Sequence, residues 1–296
     1  MRHSIKSTIV YINLDRVPQR RKFMEKEFVK VGLNNVLRFS AIDAKDEEAL
    51  KYSGFCPGAG DRWELPKSAI ACFESHRAVW QFAVDQKLDA IIVFEDDVLL
   101  SPDIAEIILS LTSSSNQFDV VKLDIGGSRA KSGAITKISG ISVRRLLAKL
   151  SSAGGYILSA SGAKKLLKNS KSYGDTLDDF LFNPSADWNM YQLFPAAVAQ
   201  VVNLDNSKGK FDHLLEHKVL EGEREESQDI NKKNLSHGPM PFRFYKEYKR
   251  FKNSLIWKLY GRKKLLQKGG YFGYVPINKN FDLSPRGIRK MLNLNK

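Results

Sequence analysis

Glu95-Asp96-Asp97 is the densest run of reactive groups in the chain, set directly after Ala90-Ile91-Ile92-Val93-Phe94 and directly before Val98-Leu99-Leu100. Three successive carboxylates repel one another unless a cation or strong hydrogen-bond donors sit among them. The apolar run before them predicts a strand buried on both faces. In an open α/β sheet, residues just past the carboxyl end of a strand line the ligand crevice. Carboxylates in that place suit Mg2+ or Mn2+, which take oxygen ligands and bridge to diphosphates. The competing reading is a solvated turn capping the helix that follows. The position after a hydrophobic strand favours the metal.

The elements that must hold this motif follow from hydrophobic period. Residues 8–14 read as an opening strand, and Pro18 starts a helix with Phe23, Phe28 and Val31 on its apolar side. Residues 36–42 predict a second strand and 47–52 a short helix or loop, running into a Gly/Pro-rich loop at 54–60 over or beside a cleft. Residues 68–86 carry a long helical pattern, 102–111 a further helix, 119–123 and 154–158 two more strands, and 161–168 another helix. Strands alternating with helices imply an α/β sandwich.

At 296 residues, with 43% apolar residues, 17 Phe, 10 Tyr and 4 Trp, the chain can fill one large core, and two or three separate domains are not expected. We divide it into a catalytic body at 1–202, a polar linker or excursion at 203–240 and a basic amphipathic extension at 241–296. The formal net charge of +14 is concentrated in that extension, where 15 Lys or Arg face only Glu247 and Asp282, a surplus of +13. Such a tail meets anionic surfaces: lipid headgroups, nucleic acid or a charged glycolipid. No zinc-finger spacing or RNA-binding signature supports a specific nucleic-acid partner. The apolar run at 8–12 is too short for a signal-peptide core, and no stretch approaches the length of a spanning helix. Cys56 and Cys72 are too few for a disulfide scaffold and not spaced as a zinc site, so they read as free thiols without chemistry of their own, in a reducing compartment.

Several segments, taken in order, resemble the glycosyltransferase family 25 enzymes of lipopolysaccharide and lipooligosaccharide biosynthesis, a family that includes the collagen galactosyltransferases. They are Ile12-Asn13-Leu14-Asp15-Arg16 with Arg20-Arg21, Ser40-Ala41-Ile42-Asp43-Ala44, Cys72-Phe73-Glu74-Ser75-His76 with Trp80, and Phe94-Glu95-Asp96-Asp97-Val98. Gly155-Tyr156-Ile157-Leu158-Ser159, Leu177-Asp178-Asp179-Phe180 and Tyr191-Gln192-Leu193-Phe194-Pro195 with Gln200 continue the pattern. The similarity covers about residues 7–202. Ser68-Ala69-Ile70-Ala71 departs from it where the family carries Gly-Glu, and Thr176 stands where proline is common.

The resemblance implies a GT-A-like, Rossmann-type α/β sandwich, a UDP-sugar donor, Mn2+ or Mg2+, and inversion at the anomeric carbon. It makes Glu95 and Asp97 metal ligands and places Asp96 toward ribose or sugar hydroxyls. Asn13, Arg16 and Arg20 fall beside the nucleotide, with an arginine fork suited to phosphate oxygens. Ala41 and Asp43 fall near the base or ribose, and Ser75 and His76 beside the donor cleft, against the plainer reading of a helical His satisfied in the core. The general base falls on Asp178, with Asp179 and Asp187 as competitors. The implied reaction moves a hexose, most often galactose from UDP-galactose, onto a lipooligosaccharide core sugar; a glucosyltransferase and an anionic-surface or nucleic-acid binder are the alternatives. The tail at 241–268 would then hold the enzyme peripherally on the cytoplasmic face of a bacterial inner membrane, where cations contribute about 1 kcal/mol each.

Overall fold

A computed structural model of the chain describes residues 5–200 and 235–281. Residues 203–234 of the expected excursion and 282–296 of the extension lie outside the described residues. The fold is mixed α/β around a nine-stranded sheet. Strand β1 (Ser7–Asn13) leads into helix α1 (Pro18–Lys30), and β2 (Leu37–Ser40) into the short α2 (Glu47–Lys51). Helix α3 (Lys67–Asp85) precedes β3 (Ala90–Glu95), and β4 (Val98–Leu100) precedes α4 (Ile104–Thr112). Then come β5 (Val120–Lys122), β6 (Ala130–Ile138), β7 (Ile141–Leu146), β8 (Gly155–Ser159), α5 (Ala160–Asn169) and α6 (Leu177–Leu181). Strands β9 (Met190–Leu193) and β10 (Val198–Gln200) close the first described segment. In the second, α7 (Met240–Ile256) passes through a π-helical turn at Trp257–Gly261 into α8 (Arg262–Gln267), and β11 (Tyr271–Gly273) follows.

The sheet runs β11-β6-β7-β9-β5-β8-β3-β1-β2, with β4 and β10 forming a separate antiparallel pair. Strands β2, β1 and β3 are parallel, so their carboxyl ends open on one side, while β8 runs antiparallel between β3 and β5. Burial of β3 on both faces is as expected. Ile91 and Val93 join one core with Val10, Ile12 and Trp80, and Ile92 and Phe94 join a second with Tyr11, Phe28 and Leu100. The period-two alternation of a strand sends successive side chains to opposite layers. Helix α5 lies close on the sheet because Gly162 has no side chain; a Cβ there would sit 2.3 Å from the Asp119 carbonyl oxygen.

Three findings depart from the sequence reading. No strand was expected between residues 124 and 153, yet β6 and β7 form a hairpin there. Its two-residue turn, Ser139-Gly140, has φ values of +46° and +83°, the primed geometry that matches strand twist. The loop at 54–60 does not itself line the cleft; it pairs with the segment before α6, Cys56 N–H donating to the Tyr173 carbonyl at 2.8 Å and Tyr173 N–H to that of Gly54 at 2.9 Å. Finally, β11, from within the 241–296 extension, is hydrogen-bonded to β6 as an edge strand of the main sheet. No helix among the described residues is long and apolar enough to cross a membrane.

Candidate functional site

A cavity of about 700 Å³ opens at the carboxyl ends of β1, β2 and β3. Its walls come from the β1–α1 loop (Leu14, Arg16), the first turn of α1 (Arg20), the segment after β2 (Ala41, Ile42, Ala44), α3 (Ser68, Cys72, Ser75, His76) and the loop before α3 (Arg62, Trp63, Glu64). Glu95, Asp96 and Asp97 line it as well, and Ser236, His237 and Lys246 bring the start of α7 to its rim. A volume of this order accommodates a nucleotide-sized ligand.

The three carboxylates are held in two different ways. Asp96 accepts from Asn13 Nδ2 and from the Arg20 guanidinium, both at 2.7 Å, and the same guanidinium lies 4.0 Å from Asp97. Asn13 is itself buried and oriented by Arg38, whose Nε donates to Asn13 Oδ1 at 3.0 Å. Glu95 and Asp97 instead converge on one side-chain amide: Gln200 Nε2 donates to Asp97 Oδ1 at 3.1 Å and to Glu95 Oε2. Two oxygen ligands brought together at a cavity wall are the donor set of a hard divalent cation. Glu95 and Asp97 are thus the pair of oxygen donors that could take Mn2+ or Mg2+ in place of the Gln200 amide; Asp97 also faces Arg20 Nη2, and both oxygens of Asp96 are engaged by Asn13 and Arg20.

The remaining predicted residues divide between wall and scaffold. The Arg16 fork closes on Asp43, with Nε to Oδ2 at 2.5 Å, and this bond holds the Asp43 carboxyl below the usual carboxylate range despite partial burial. Ser75 bridges elements, accepting from Ile42 N–H at 2.8 Å and donating to the Ala71 carbonyl at 2.7 Å. His76 is buried beneath the wall, with Nδ1 2.9 Å from the Tyr156 hydroxyl and Nε2 3.7 Å from Glu95 Oε1. Asp178, Asp179 and Asp187 do not line the cavity, though Thr176 does. Asp178 accepts from Ser152 N–H at 3.1 Å, Thr176 Oγ1 at 2.8 Å and Asp179 N–H at 3.0 Å. Asp179 lies 3.6 Å from the Arg62 guanidinium at the rim, and Asp187 is engaged with Ser185 at 2.5 Å.

Behind the carboxylates lies support that sequence reasoning missed. Lys122 and Asp124 form a fully buried ion pair; desolvation lowers the lysine and raises the aspartate, and their mutual attraction opposes both shifts. The Lys122 ammonium also sits 4.4 Å from the Phe182 ring centroid. Ser152 ties this pair to the site: its hydroxyl lies 2.5 Å from Asp124 Oδ2 and 2.7 Å from Gln200 Oε1, and its carbonyl accepts from Lys122. Ser152 adopts φ +75°, a left-handed conformation that costs a non-glycine residue energy and recurs at functional sites. Nothing in the local sequence signals that strain. Cys72 is the other omission. Its one-turn spacing from His76 on α3 was the available signal, because residues four apart share a helix face.

A model of "Glycosyltransferase family 25 (LPS biosynthesis protein)" matches residues 6–181. A "Glycosyltransferase 25 family member" of Drosophila melanogaster is 31% identical over 175 residues, which are 54% of this chain and 27% of the fly protein. The "Lipooligosaccharide biosynthesis protein lic2B" of Haemophilus influenzae is 27% identical over 233 residues, 75% of this chain and 85% of that one. Human "Procollagen galactosyltransferase 2" is 27% identical over 185 residues, 58% of this chain and 29% of the relative. The matched region thus spans about a quarter of the fly protein and most of the bacterial one. With more than half of its residues inside the family pattern, the chain belongs to glycosyltransferase family 25.

Proposed function

We propose that the chain is a GT-A-like, inverting, UDP-sugar-dependent hexosyltransferase that moves galactose from UDP-galactose onto a lipooligosaccharide core sugar. The observation that carries this reading is the convergence of Glu95 and Asp97 on the Gln200 amide at the wall of a nucleotide-sized cavity. Mn2+ or Mg2+ held by Glu95 and Asp97 would supply countercharge to the leaving diphosphate. The names of the bacterial and human relatives support the acceptor class and the choice of galactose, respectively.

The chain's own groups have the following parts in this reading. Arg16 and Arg20 stand at the cavity wall where phosphate oxygens would lie, each steadied by a carboxylate, Asp43 and Asp96. Asn13 holds Asp96 in place, and Ser75 fixes the Ala41-Ile42 wall against α3. The acceptor oxygen forms a bond to the sugar anomeric carbon as the bond from that carbon to the diphosphate breaks, and a carboxylate takes the acceptor proton. We assign that carboxylate to Asp179, beside Arg62 at the rim, and give Asp178 the task of anchoring Ser152.

Binding and hydrolysis of a panel of UDP-sugars, with Mn2+ or with EDTA, on wild type and Asp97→Ala, test the reading. One UDP-sugar, expected to be UDP-galactose, binds with Mn2+, and its affinity falls at least about tenfold with EDTA or in the variant, a loss of about 1.4 kcal/mol. Binding of UDP-glucose alone would replace galactose in the assignment. The absence of binding by any UDP-sugar to the folded protein would overturn it.

A further inference from the structure

Glu95 has two carboxylate oxygens, of which Oε2 accepts from Gln200. Oε1 faces α3, where it lies 3.7 Å from His76 Nε2. Cys72 stands one turn before His76, and the Cys72 thiol, a His76 ring nitrogen and a Glu95 oxygen all lie within 4.8 Å of one another. These are three different ligand types on two elements, helix α3 and the end of strand β3. Such a set suits a borderline cation: thiolate and imidazole select Zn2+ over Mg2+ or Mn2+, which prefer all-oxygen surroundings. In a tetrahedral zinc shell the ligand atoms stand roughly 3.3–3.6 Å apart, from Zn–S near 2.3 Å and Zn–N and Zn–O near 2.0–2.2 Å. The His76–Glu95 separation is already close to that spacing, and Cys72 lines the cavity within 4.8 Å of both.

The surroundings of His76 match those of a metal-bound imidazole. Trp80 Nε1 donates to the Tyr156 hydroxyl oxygen at 2.9 Å, and that oxygen is also 2.9 Å from His76 Nδ1. Tyr156, Trp80 and His76 are all buried, so the ring is fixed with Nδ1 toward Tyr156 and Nε2 toward Glu95. Metal-ligating histidines are commonly oriented in this way, through a second-shell partner on the other nitrogen. Ligation by Nε2 selects the tautomer whose Nδ1–H donates to the Tyr156 oxygen.

We infer that Cys72, His76 and Glu95 form a zinc site with a fourth position open to the cavity, distinct from the hard-cation pair Glu95 and Asp97 but sharing Glu95 with it. The inference does not rest on the transferase reading, because it concerns metal binding alone. Zinc here would draw Glu95 toward α3, so the two cations compete for one carboxylate.

The test is a Co2+ absorbance titration of the full chain and of Cys72→Ser, Cys56→Ser and Asp97→Asn, with folding of each checked by circular dichroism. Wild type is expected to develop a thiolate-to-cobalt charge-transfer band and tetrahedral ligand-field bands that saturate at one equivalent. One equivalent of Zn2+ abolishes both, and excess Mg2+ does not. Cys56→Ser and Asp97→Asn keep the bands, and Cys72→Ser loses the charge-transfer band. A wild type without that band, a band that survives Cys72→Ser, or a band lost in Asp97→Asn would each overturn the site. The Asp97→Asn arm separates this inference from the proposed function, since that variant is expected to lose donor binding and keep cobalt.

Discussion

Asp178 receives three hydrogen bonds from donors on its own helix start and on Ser152, whereas the Asp179 carboxylate meets the Arg62 guanidinium at 3.6 Å and feels Lys149. Removing their charges should therefore have opposite consequences. An amide at position 178 sets a donor against one of the three donors it now accepts from, so Asp178→Asn should lose about 1–3 kcal/mol of stability in denaturant unfolding. Asp179→Asn should unfold as wild type does and lose about 10²- to 10⁴-fold in turnover. Wild-type turnover in folded Asp179→Asn would remove it as the base. The Arg16–Asp43 pair makes a prediction in pH. The bond from Arg16 holds Asp43 below its usual carboxylate range, so the stabilisation is present above the unfolded pKa and disappears as pH falls through the folded one. Both side chains are more than a quarter exposed, so screening limits the effect. Arg16→Gln should cost about 0.2–1 kcal/mol at pH 7, and the gap from wild type should narrow as pH drops below about 4. A gap that stays constant down to pH 3 would remove the ion pair as its source.

The basic helix α7 shows why elements and function are legible to different degrees. Its helical period was visible in the sequence, and the structure adds which side is docked. Phe242 packs on Trp63, and Trp257 beyond the helix end packs on Phe272, while Tyr245, Tyr248, Phe251 and Leu255 remain exposed beside Lys and Arg. An exposed apolar face rimmed with cations is the kind of surface that the peripheral attachment to an anionic membrane expected from the sequence would use. Deletion of the extension is a poor test, because β11 and the buried Val275 and Phe281 would go with it. Vesicle co-sedimentation should instead show that Tyr248→Ser/Phe251→Ser/Leu255→Ser loses most binding to anionic vesicles while wild type binds them and ignores neutral ones. Equal sedimentation of the two proteins would rule this face out. Long, strongly periodic elements such as β3 and α3 could be read from sequence because burial on known faces imposes their pattern. The β6–β7 hairpin could not: Ala130-Lys131-Ser132-Gly133 and Arg144-Arg145 mix small, polar and charged residues without the apolar run or clean alternation that marks a strand. At the site, the Glu95-Asp96-Asp97 cluster was legible because its cost demands a partner. The division of labour within it was not, since Gln200, Ser152 and Asn13 act through distances that only the fold creates.

The molecule as a whole is closed by the stretch that follows α8. Beyond the pairing of β11 with β6, Asn278 N–H donates to the Ala196 carbonyl at 2.8 Å, and Asn278 Nδ2 donates to both Asp103 oxygens, at 3.1 and 2.8 Å. Asn278 is buried, and its Oδ1 also accepts from Asn280 N–H at 3.0 Å, so Asn278→Ala should cost about 0.5–1.5 kcal/mol through the bonds it removes, while Asp103 keeps Ser101 and Asn280 as donors. Unfolding at wild-type denaturant midpoint would show that this seam carries no stability. At the other end of the segment, Ser236 N–H donates to Glu64 Oε2 at 2.6 Å beside the cavity. Closure also sets a clock on synthesis. Strand β11 is polymerised more than 120 residues after β7 ends at Leu146, an interval on the order of ten seconds at ribosomal rates of about 5–20 residues per second. Through that interval the outer edge of β6 is a template without its strand, open to any neighbouring nascent chain. The protections it needs are already encoded: Lys131 and Lys137 along the strand, and a register irregularity between Ser132 and Ile135 that interrupts a straight edge. Those features guard the chain during the seconds before β11 exists, and a smoother, less charged β6 would be penalised in yield at high expression long before it changed the finished protein.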